Sequence, residues 1–260
     1  MRWSRVSLAL AFLSGGATAA APAPASPAPL PRLDAALVEA FRQVQAGQHA
    51  EARRLAASYL EQGRGQHPGQ AHFVAGLSFH RQQLYASARA RFSRALELEP
   101  GYVTTWFFLG FTLLNLGEAQ AARQALERYL AVDPGAAEAH FGLGWAALEE
   151  DRAGEAVSHF TRASELAERG AVDGQLPPGV RRDVARYQAR LGDAHLRREE
   201  LGLARAALER SVALAPDLPE PWHKLAWVLR RLGDAAGAGA AEARFAEASR
   251  RRDEQRGGRP

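Results

Sequence analysis

The sequence contains no cysteine, and its 33 basic residues include a single lysine, Lys224. Without cysteine the chain forms no disulfide bond and offers no N-terminal cysteine for lipid attachment. A bacterial lipoprotein is therefore excluded, and stability must come from a packed core. The arginines alternate with glutamate and aspartate along the chain, which is typical of solvated helix faces and does not favour nucleic acid as a partner.

Motifs for catalysis and for metal binding are also missing. The eight histidines form no i, i+4 pair and no HExxH motif, which zinc sites on helices commonly use. The sequence has no GxSxG elbow, no GxxxxGK[ST] loop and no GxGxxG motif after a strand, so the common nucleophile and phosphate sites are not indicated. We therefore predict a protein that is not an enzyme and that has no catalytic residue, cofactor or metal.

The two ends of the chain differ in composition from the middle. Residues 1–20 place Arg2 and Arg5 before an apolar run from Val6 to Leu13, which predicts a signal peptide cleaved after Ala19 or Ala20. The run is too short to span a bilayer of about 30 Å, so we expect a periplasmic or secreted protein without a membrane span after signal removal. The composition predicts an Ala/Pro-rich linker at residues 21–32 and a charged disordered tail at residues 249–260.

An internal repeat with a period of 34 residues fills the part between these ends. Each copy contains two apolar segments with helical spacing, separated by a short turn such as NLGEA at 115–119. In the second copy the recurring residues are His72, Ala75, Gly76, Phe79, Ala88, Phe92, Ala95 and Pro100; in the third they are Trp106, Leu109, Gly110, Leu113, Ala122, Leu126, Tyr129 and Pro134. The predicted repeats are 33–66, 69–102, 103–136, 137–168, 185–218 and 219–248.

This pattern resembles the tetratricopeptide repeat (TPR) family, whose signature is W-x2-L-G-x2-Y, then A-x3-F, then P over 34 residues. His or Gln replaces the first Trp in three copies. The resemblance implies an all-α, right-handed solenoid of about five or six antiparallel helix pairs. It also implies a scaffold that binds a protein or a peptide. A helix pair cannot bury its apolar face alone, so stacking must stabilise the array.

Residues 169–184 interrupt the period and contain a Pro-Pro-Gly element. One interpretation is a tolerated loop at an edge of the array, whose end from Val180 onward lengthens the next helix. The other is a lip that contacts the bound partner. The sequence leaves both open.

The stretch TTWFFLGFTLL at 104–114 separates into two helix faces. Trp106, Leu109 and Leu113 point one way, and Phe107 and Phe111 lie about 110° further round. The resemblance implies that this second face turns toward the concave groove of the solenoid. The equivalent positions predict a partner-binding groove formed by Phe41, Phe73, Leu77, His80, Phe107, Phe111, Leu114, Phe141, Trp145 and Trp227.

Several alternatives remain open from the sequence. The aromatic residues of this face can pack between successive helices instead of meeting a partner. The protein can be a structural or assembly factor of the cell envelope that acts through its outer or end surfaces, or an accessory subunit of a separate enzyme. The Ala/Pro segment at 20–31 can also fold into the groove as a pseudo-ligand. Some TPR proteins grip a C-terminal carboxylate with paired Lys and Asn, but the single Lys224 and Asn115 do not support that mode.

Overall fold

The computed structural model describes residues 33–62, 66–171 and 175–257. The predicted signal peptide, the linker at 21–32 and residues 258–260 of the predicted tail lie outside the described residues. Within the described ranges the regular secondary structure is helical, with an isolated bridge residue at Gln175.

The described residues form twelve α-helices, and a 3₁₀ turn at Ala35–Leu37 leads into the first. Their bounds are α1 Val38–Gln45, α2 His49–Glu61, α3 Pro68–Arg81, α4 Tyr85–Leu98, α5 Thr104–Asn115, α6 Ala119–Leu130, α7 Ala137–Glu149, α8 Ala153–Glu168, α9 Pro178–Arg197, α10 Leu201–Leu214, α11 Pro219–Arg231 and α12 Ala235–Gly257.

The described helices fall into two units. One unit contains α1–α7, and the other contains α8–α12. In the first unit each helix packs on the next along the chain, and α1, α3, α5 and α7 also contact one another in sequence. In the second unit α8 packs on α9, α9 on α10, α10 on α11 and α11 on α12. The predicted all-α fold of paired helices is therefore confirmed within each unit.

A glycine on the first helix of a pair lets the second helix approach closely. In three pairs, a side chain 16 residues later on the second helix fills the space where the glycine would carry its Cβ. An added Cβ would lie 2.6–2.8 Å from that side chain, which is closer than van der Waals contact allows. The three pairs are Gly76 with Phe92, Gly110 with Leu126 and Gly192 with Leu208.

The turn inside each helix pair has a residue with positive φ at the same place. Glycine occupies it in three turns, at Gly47, Gly117 and Gly233, with φ of 80°, 77° and 83°. The other three turns place Gln83, Asp151 and Glu199 there, with φ of 63°, 57° and 59°. Side chains disfavour this left-handed region, so these three turns hold a strained backbone.

Arginines on the second helices connect successive pairs in the first unit. Arg89 of α4 forms an ion pair with Glu118 in the turn before α6, and Arg123 of α6 forms one with Glu150 at the end of α7. Arg53 of α2 donates to the side chain of Gln82 in the same way. The three arginines occupy the same position of their repeats. We call these contacts the arginine latches.

Helix α9 agrees with one of the two interpretations of residues 169–184, and helix α12 is longer than the sequence predicted. Helix α9 begins at Pro178, so the end of the predicted insertion lengthens the following helix. Helix α12 continues to Gly257, so the predicted disordered tail is helical as far as that residue. Arg251 pairs with Glu247 one turn earlier, and Arg252 pairs with Glu220 of α11. These ion pairs hold a segment whose high charge had suggested disorder.

The last helix pair has a thinner core than the pairs before it. Helix α12 contributes Ala238 and Ala241 to the core cluster of the second unit. Glu242 occupies the position 16 residues after Ala226, where earlier pairs have phenylalanine or leucine, and it forms an ion pair with Arg230. The final helix therefore closes the repeat with small and charged residues, as terminal repeats do.

Candidate functional site

Nine of the ten predicted groove residues lie on α1, α3, α5 and α7 of the first unit. We call them the first-helix face. Helix α1 carries Phe41, α3 carries Phe73, Leu77 and His80, α5 carries Phe107, Phe111 and Leu114, and α7 carries Phe141 and Trp145.

Seven of these nine side chains are buried, with exposed fractions of 1–6%. The Phe73 ring lies 5.0 Å from the Tyr102 ring and 5.6 Å from the Phe108 ring, both edge to face. The Phe107 ring lies 5.1 Å from that of Tyr129 on α6. Ring pairs at these distances belong to packed cores, so Phe73 and Phe107 connect α3, α5 and α6.

Phe111 connects α5 with α7. Its side chain is 1% exposed, and a Cβ added to Gly142 of α7 would lie 3.1 Å from the tip of the Phe111 ring. The alternative of packing between successive helices thus describes Phe73, Phe107 and Phe111, and the expectation of a continuously exposed aromatic row is corrected. Binding of a partner by the first-helix face stays a prediction.

The accessible aromatic area of the face comes from other side chains. Phe41 and Trp145 are partly buried, and so is Phe108, which helical spacing had not assigned to the face. The Trp145 indole Nε1 donates to Glu149 Oε1 at 3.1 Å, one turn further along α7. The face thus combines buried aromatic rings with three that are partly exposed.

His80 is the one titratable residue among the nine. Its Nδ1 lies 2.8 Å from Thr112 Oγ1, and the Thr112 hydroxyl donates its proton to the Phe108 carbonyl oxygen at 2.7 Å. Thr112 Oγ1 must therefore accept from His80, which places the histidine proton on Nδ1. Burial lowers the pKa of His80 to about 4, so the ring is neutral at physiological pH and connects α3 to α5.

Trp227, the tenth predicted residue, lies on α11 of the second unit and is 43% exposed. The guanidinium carbon of Arg231 lies 5.1 Å from the centroid of the Trp227 ring, within the range of a cation–π contact. The sequence pattern did not single out Arg231, although a basic residue one helical turn after an outward-facing tryptophan would have indicated the contact.

Other chemistry in the described part of the chain is limited. No group of three histidine, aspartate or glutamate side chains among the described residues is arranged to hold a metal ion. Within the same ranges, no helix combines the length and the apolar character needed to cross a membrane.

Comparison with known proteins gives matches at the level of the repeat and of the fold. Two family models, each described as tetratricopeptide repeat, match residues 37–103 and 79–140. No curated protein matches the sequence.

Three of the similar solved structures are MamA, YrrB and PilW. MamA is 20% identical with a TM-score of 0.57, over 69% of this chain and 96% of that chain. YrrB, described as a TPR protein with an unusual peptide-binding site, is 20% identical with a TM-score of 0.58, over 72% and 88%. PilW, described as a type IV pilus biogenesis factor, is 20% identical with a TM-score of 0.59, over 72% and 80%. At this identity the similarity shows the fold alone.

Proposed function

This chain belongs to the tetratricopeptide repeat family, and on that premise we propose that it is a non-enzymatic scaffold that holds a peptide or partner helix on its first-helix face. The TPR fold supports a role in protein–protein interaction, since stacked helix pairs create extended binding surfaces. The specific use of this face is the proposal.

The observation that carries the proposal is the combination of buried and partly exposed aromatic side chains on the face. Phe73, Phe107 and Phe111 are buried against neighbouring helices, so they fix the spacing of α3, α5 and α7. Phe41 of α1 and Trp145 of α7 keep part of their surface exposed. A rigid support lowers the entropy lost when a partner binds, and large aromatic side chains supply much of the binding energy at protein interfaces.

A role in end-to-end assembly of copies has less support. Stacking of a further repeat on α12 would bury little apolar surface, because its exposed residues include the small Ala236, Gly239, Ala240 and Ala243. At Gly239 the latch position of the earlier repeats carries no side chain. An end surface of small and charged residues is typical of a cap that closes a repeat array.

The test is affinity capture from the envelope and secreted fractions with mature protein beginning at Ala21. The test variants are Phe41→Ala and Trp145→Ala, and the matched control is Trp106→Ala. Trp106 is also partly buried, but Arg128 of α6 stacks 4.7 Å from its ring centroid and it is not part of the first-helix face. Far-UV circular dichroism and thermal melting must show that all variants are folded.

A partner retained by the wild type and by Trp106→Ala, and lost from Phe41→Ala and Trp145→Ala, would support the face as the working surface. Equal capture by all four proteins would refute it and move the function to another surface. Recovery of an enzyme as the captured partner would identify the chain as an accessory subunit.

Export is a second part of the proposal, supported by the leader-like residues 1–20. The full-length chain should be cleaved when it is expressed in a Gram-negative host. Intact mass of the protein in the periplasmic fraction should correspond to an N-terminus at Ala20 or Ala21. An uncleaved chain that remains in the cytoplasm would contradict this part.

A further inference from the structure

Trp227 stands apart from the other large apolar side chains at the surface of the described residues. Four such side chains are strongly exposed, and the other three, Leu84, Leu203 and Leu232, are aliphatic. Trp227 lies in the middle of α11, on a helix rather than in a turn. An exposed tryptophan offers a partner a large, rigid apolar ring with a polar N–H at its edge.

Cationic side chains surround this ring. Helical spacing puts Lys224 three residues before Trp227, and Arg230 and Arg231 three and four residues after it, so all three flank it on α11. Arg231 stacks on the indole at 5.1 Å and is exposed. His223, one turn before Trp227, lies 5.3 Å from the Phe245 ring of α12. We call Trp227 together with Lys224, Arg230 and Arg231 the Trp227 patch.

The patch has more positive than negative charge. Asp193 of α9 forms ion pairs with both Lys224 and Arg190, so one carboxylate is shared by two cations. Glu242 of α12 is paired with Arg230. Lys224, Arg230 and Arg231 therefore face two carboxylates, one of which is shared with Arg190, so the patch has an excess of one positive charge beside the exposed indole.

We propose that the Trp227 patch binds an acidic peptide segment in which an apolar side chain lies between carboxylates. The apolar side chain would cover the indole. The carboxylates would reach Arg231 and its neighbours Lys224 and Arg230, which form charge-assisted hydrogen bonds with such groups. This inference rests on the proposed function as a scaffold, because it names the class of partner for one surface of the second unit. It does not require the first-helix face.

Two features favour an acidic peptide over other occupants. A bare polyanion would use the cations but would leave the indole uncovered, and a purely apolar segment would bury the indole but leave the excess charge uncompensated. A segment with both acidic and apolar side chains covers the indole and also compensates the positive charge. Its recognition needs no free C-terminus, since the contacts are with side chains.

The experiment uses the mature chain and three fluorescein-labelled peptides, all amidated at the C-terminus. The first is a twelve-residue peptide that alternates glutamate and phenylalanine, the second has glutamine in place of every glutamate, and the third is a glutamate homopolymer of equal length. Binding is followed by fluorescence anisotropy at low and at moderate salt. The variants are Trp227→Ala and Arg231→Glu. Arg250→Glu on α12 is the matched control, because it changes the net charge equally at an exposed residue outside the patch.

The mixed peptide should bind more tightly than the other two and more weakly as salt increases. Trp227→Ala and Arg231→Glu should each weaken its affinity by about tenfold or more, as substitutions of interface anchors do, while Arg250→Glu changes it by less than about twofold. Circular dichroism must be unchanged in all variants, since each replaced side chain is exposed.

Four results would overturn the proposal. They are no binding of the mixed peptide, equal binding of the glutamine peptide, equal binding of the homopolymer, and equal loss in Arg231→Glu and Arg250→Glu. Self-association that disappears in Trp227→Ala would identify a second copy as the occupant instead. Because the capture experiment above depends on Phe41 and Trp145 of the first unit, failure of either proposal can be recognised separately.

Discussion

Replacing Gln83 with glycine should stabilise the first unit. Gln83 lies in the turn between α3 and α4 with φ of 63°, whereas Gly117 occupies the same place between α5 and α6 with φ of 77°. The Gln83 side chain is exposed, so the substitution changes the backbone preference and removes no buried contact. The native conformation is one that glycine adopts without strain.

The size of the effect follows from two opposing terms. A residue with a Cβ in the left-handed region costs about 1–2 kcal/mol, and removal of the Cβ relieves this strain. Glycine also gives the unfolded chain more conformational freedom, which costs about 0.4–1 kcal/mol. The net stabilisation should therefore be about 0.5–1 kcal/mol. The reverse change, Gly117→Ala, should destabilise by a similar or larger amount, although an added Cβ there would meet no atom within 4 Å.

Urea unfolding monitored by circular dichroism can measure both changes. With a slope of about 2 kcal/mol per molar urea, the midpoint of Gln83→Gly should rise by about 0.25–0.5 M. The matched control is Gln124→Gly, the same substitution at an exposed position inside α6, which should lower stability by about 1 kcal/mol. If Gln83→Gly lowers the midpoint as Gln124→Gly does, the turn is not strained and the reasoning is refuted.

Three further predictions concern the first unit. Burial lowers the pKa of His80 from its ordinary value of about 6.5 to about 4 in the folded protein, so the unfolded chain binds a proton first as pH falls. Stability should be highest above pH 6.5 and fall by roughly 3 kcal/mol toward pH 4. Urea titrations across this range should show a flatter profile for His80→Asn, and an unchanged profile would exclude His80 as the cause. Phe111→Glu should cost about 4 kcal/mol or more, because it buries a carboxylate against Gly142; a fully helical variant with native stability would show that Phe111 is a surface residue. Arg123 and Glu150, with side chains 13% and 20% exposed, should give a coupling energy of about 1–3 kcal/mol in a double-mutant cycle of alanine variants, and additive losses would show that this latch contributes no coupling.

The helices and their pairing could be predicted from the sequence because the same residue types recur at the same positions in successive repeats. Gly76, Gly110 and Gly192 recur 16 residues before a large apolar residue, and that spacing is a property of two packed helices. The turn within each pair likewise recurs, with a residue at positive φ that is glycine in three of the six turns. When one copy of the repeat has a different residue at such a position, the other copies still define the pattern.

The exposure of the predicted face could not be obtained in the same way. Helical spacing gives the direction of a side chain but not the distance to the next helix. Phe73 is covered by Tyr102, the last residue of its own repeat, and by Phe108 of the following repeat. Phe111 is covered because Gly142 lets α7 approach. Whether such a ring meets a neighbour or a partner depends on how closely successive pairs stack.

The extent of α12 was missed for a related reason. Charge and glycine content had indicated a disordered tail after residue 248, and composition contains no information about partners on other helices. The ion pair between Arg252 and Glu220 of α11 is such a contact, and the pair of Arg251 with Glu247 extends the helix locally.

The arginine latches differ in how strongly they hold successive helix pairs of the first unit together. The ion pair of Arg89 with Glu118 has side chains 47% and 37% exposed, so dissolved ions weaken it readily, whereas the pair of Arg123 with Glu150 is largely shielded from solvent. Added salt should therefore loosen the hinge between α4 and α5 before the hinge between α6 and α7. A ligand lying along these helices would then be accommodated by bending at the softer joint, while the stiffer joint keeps its angle.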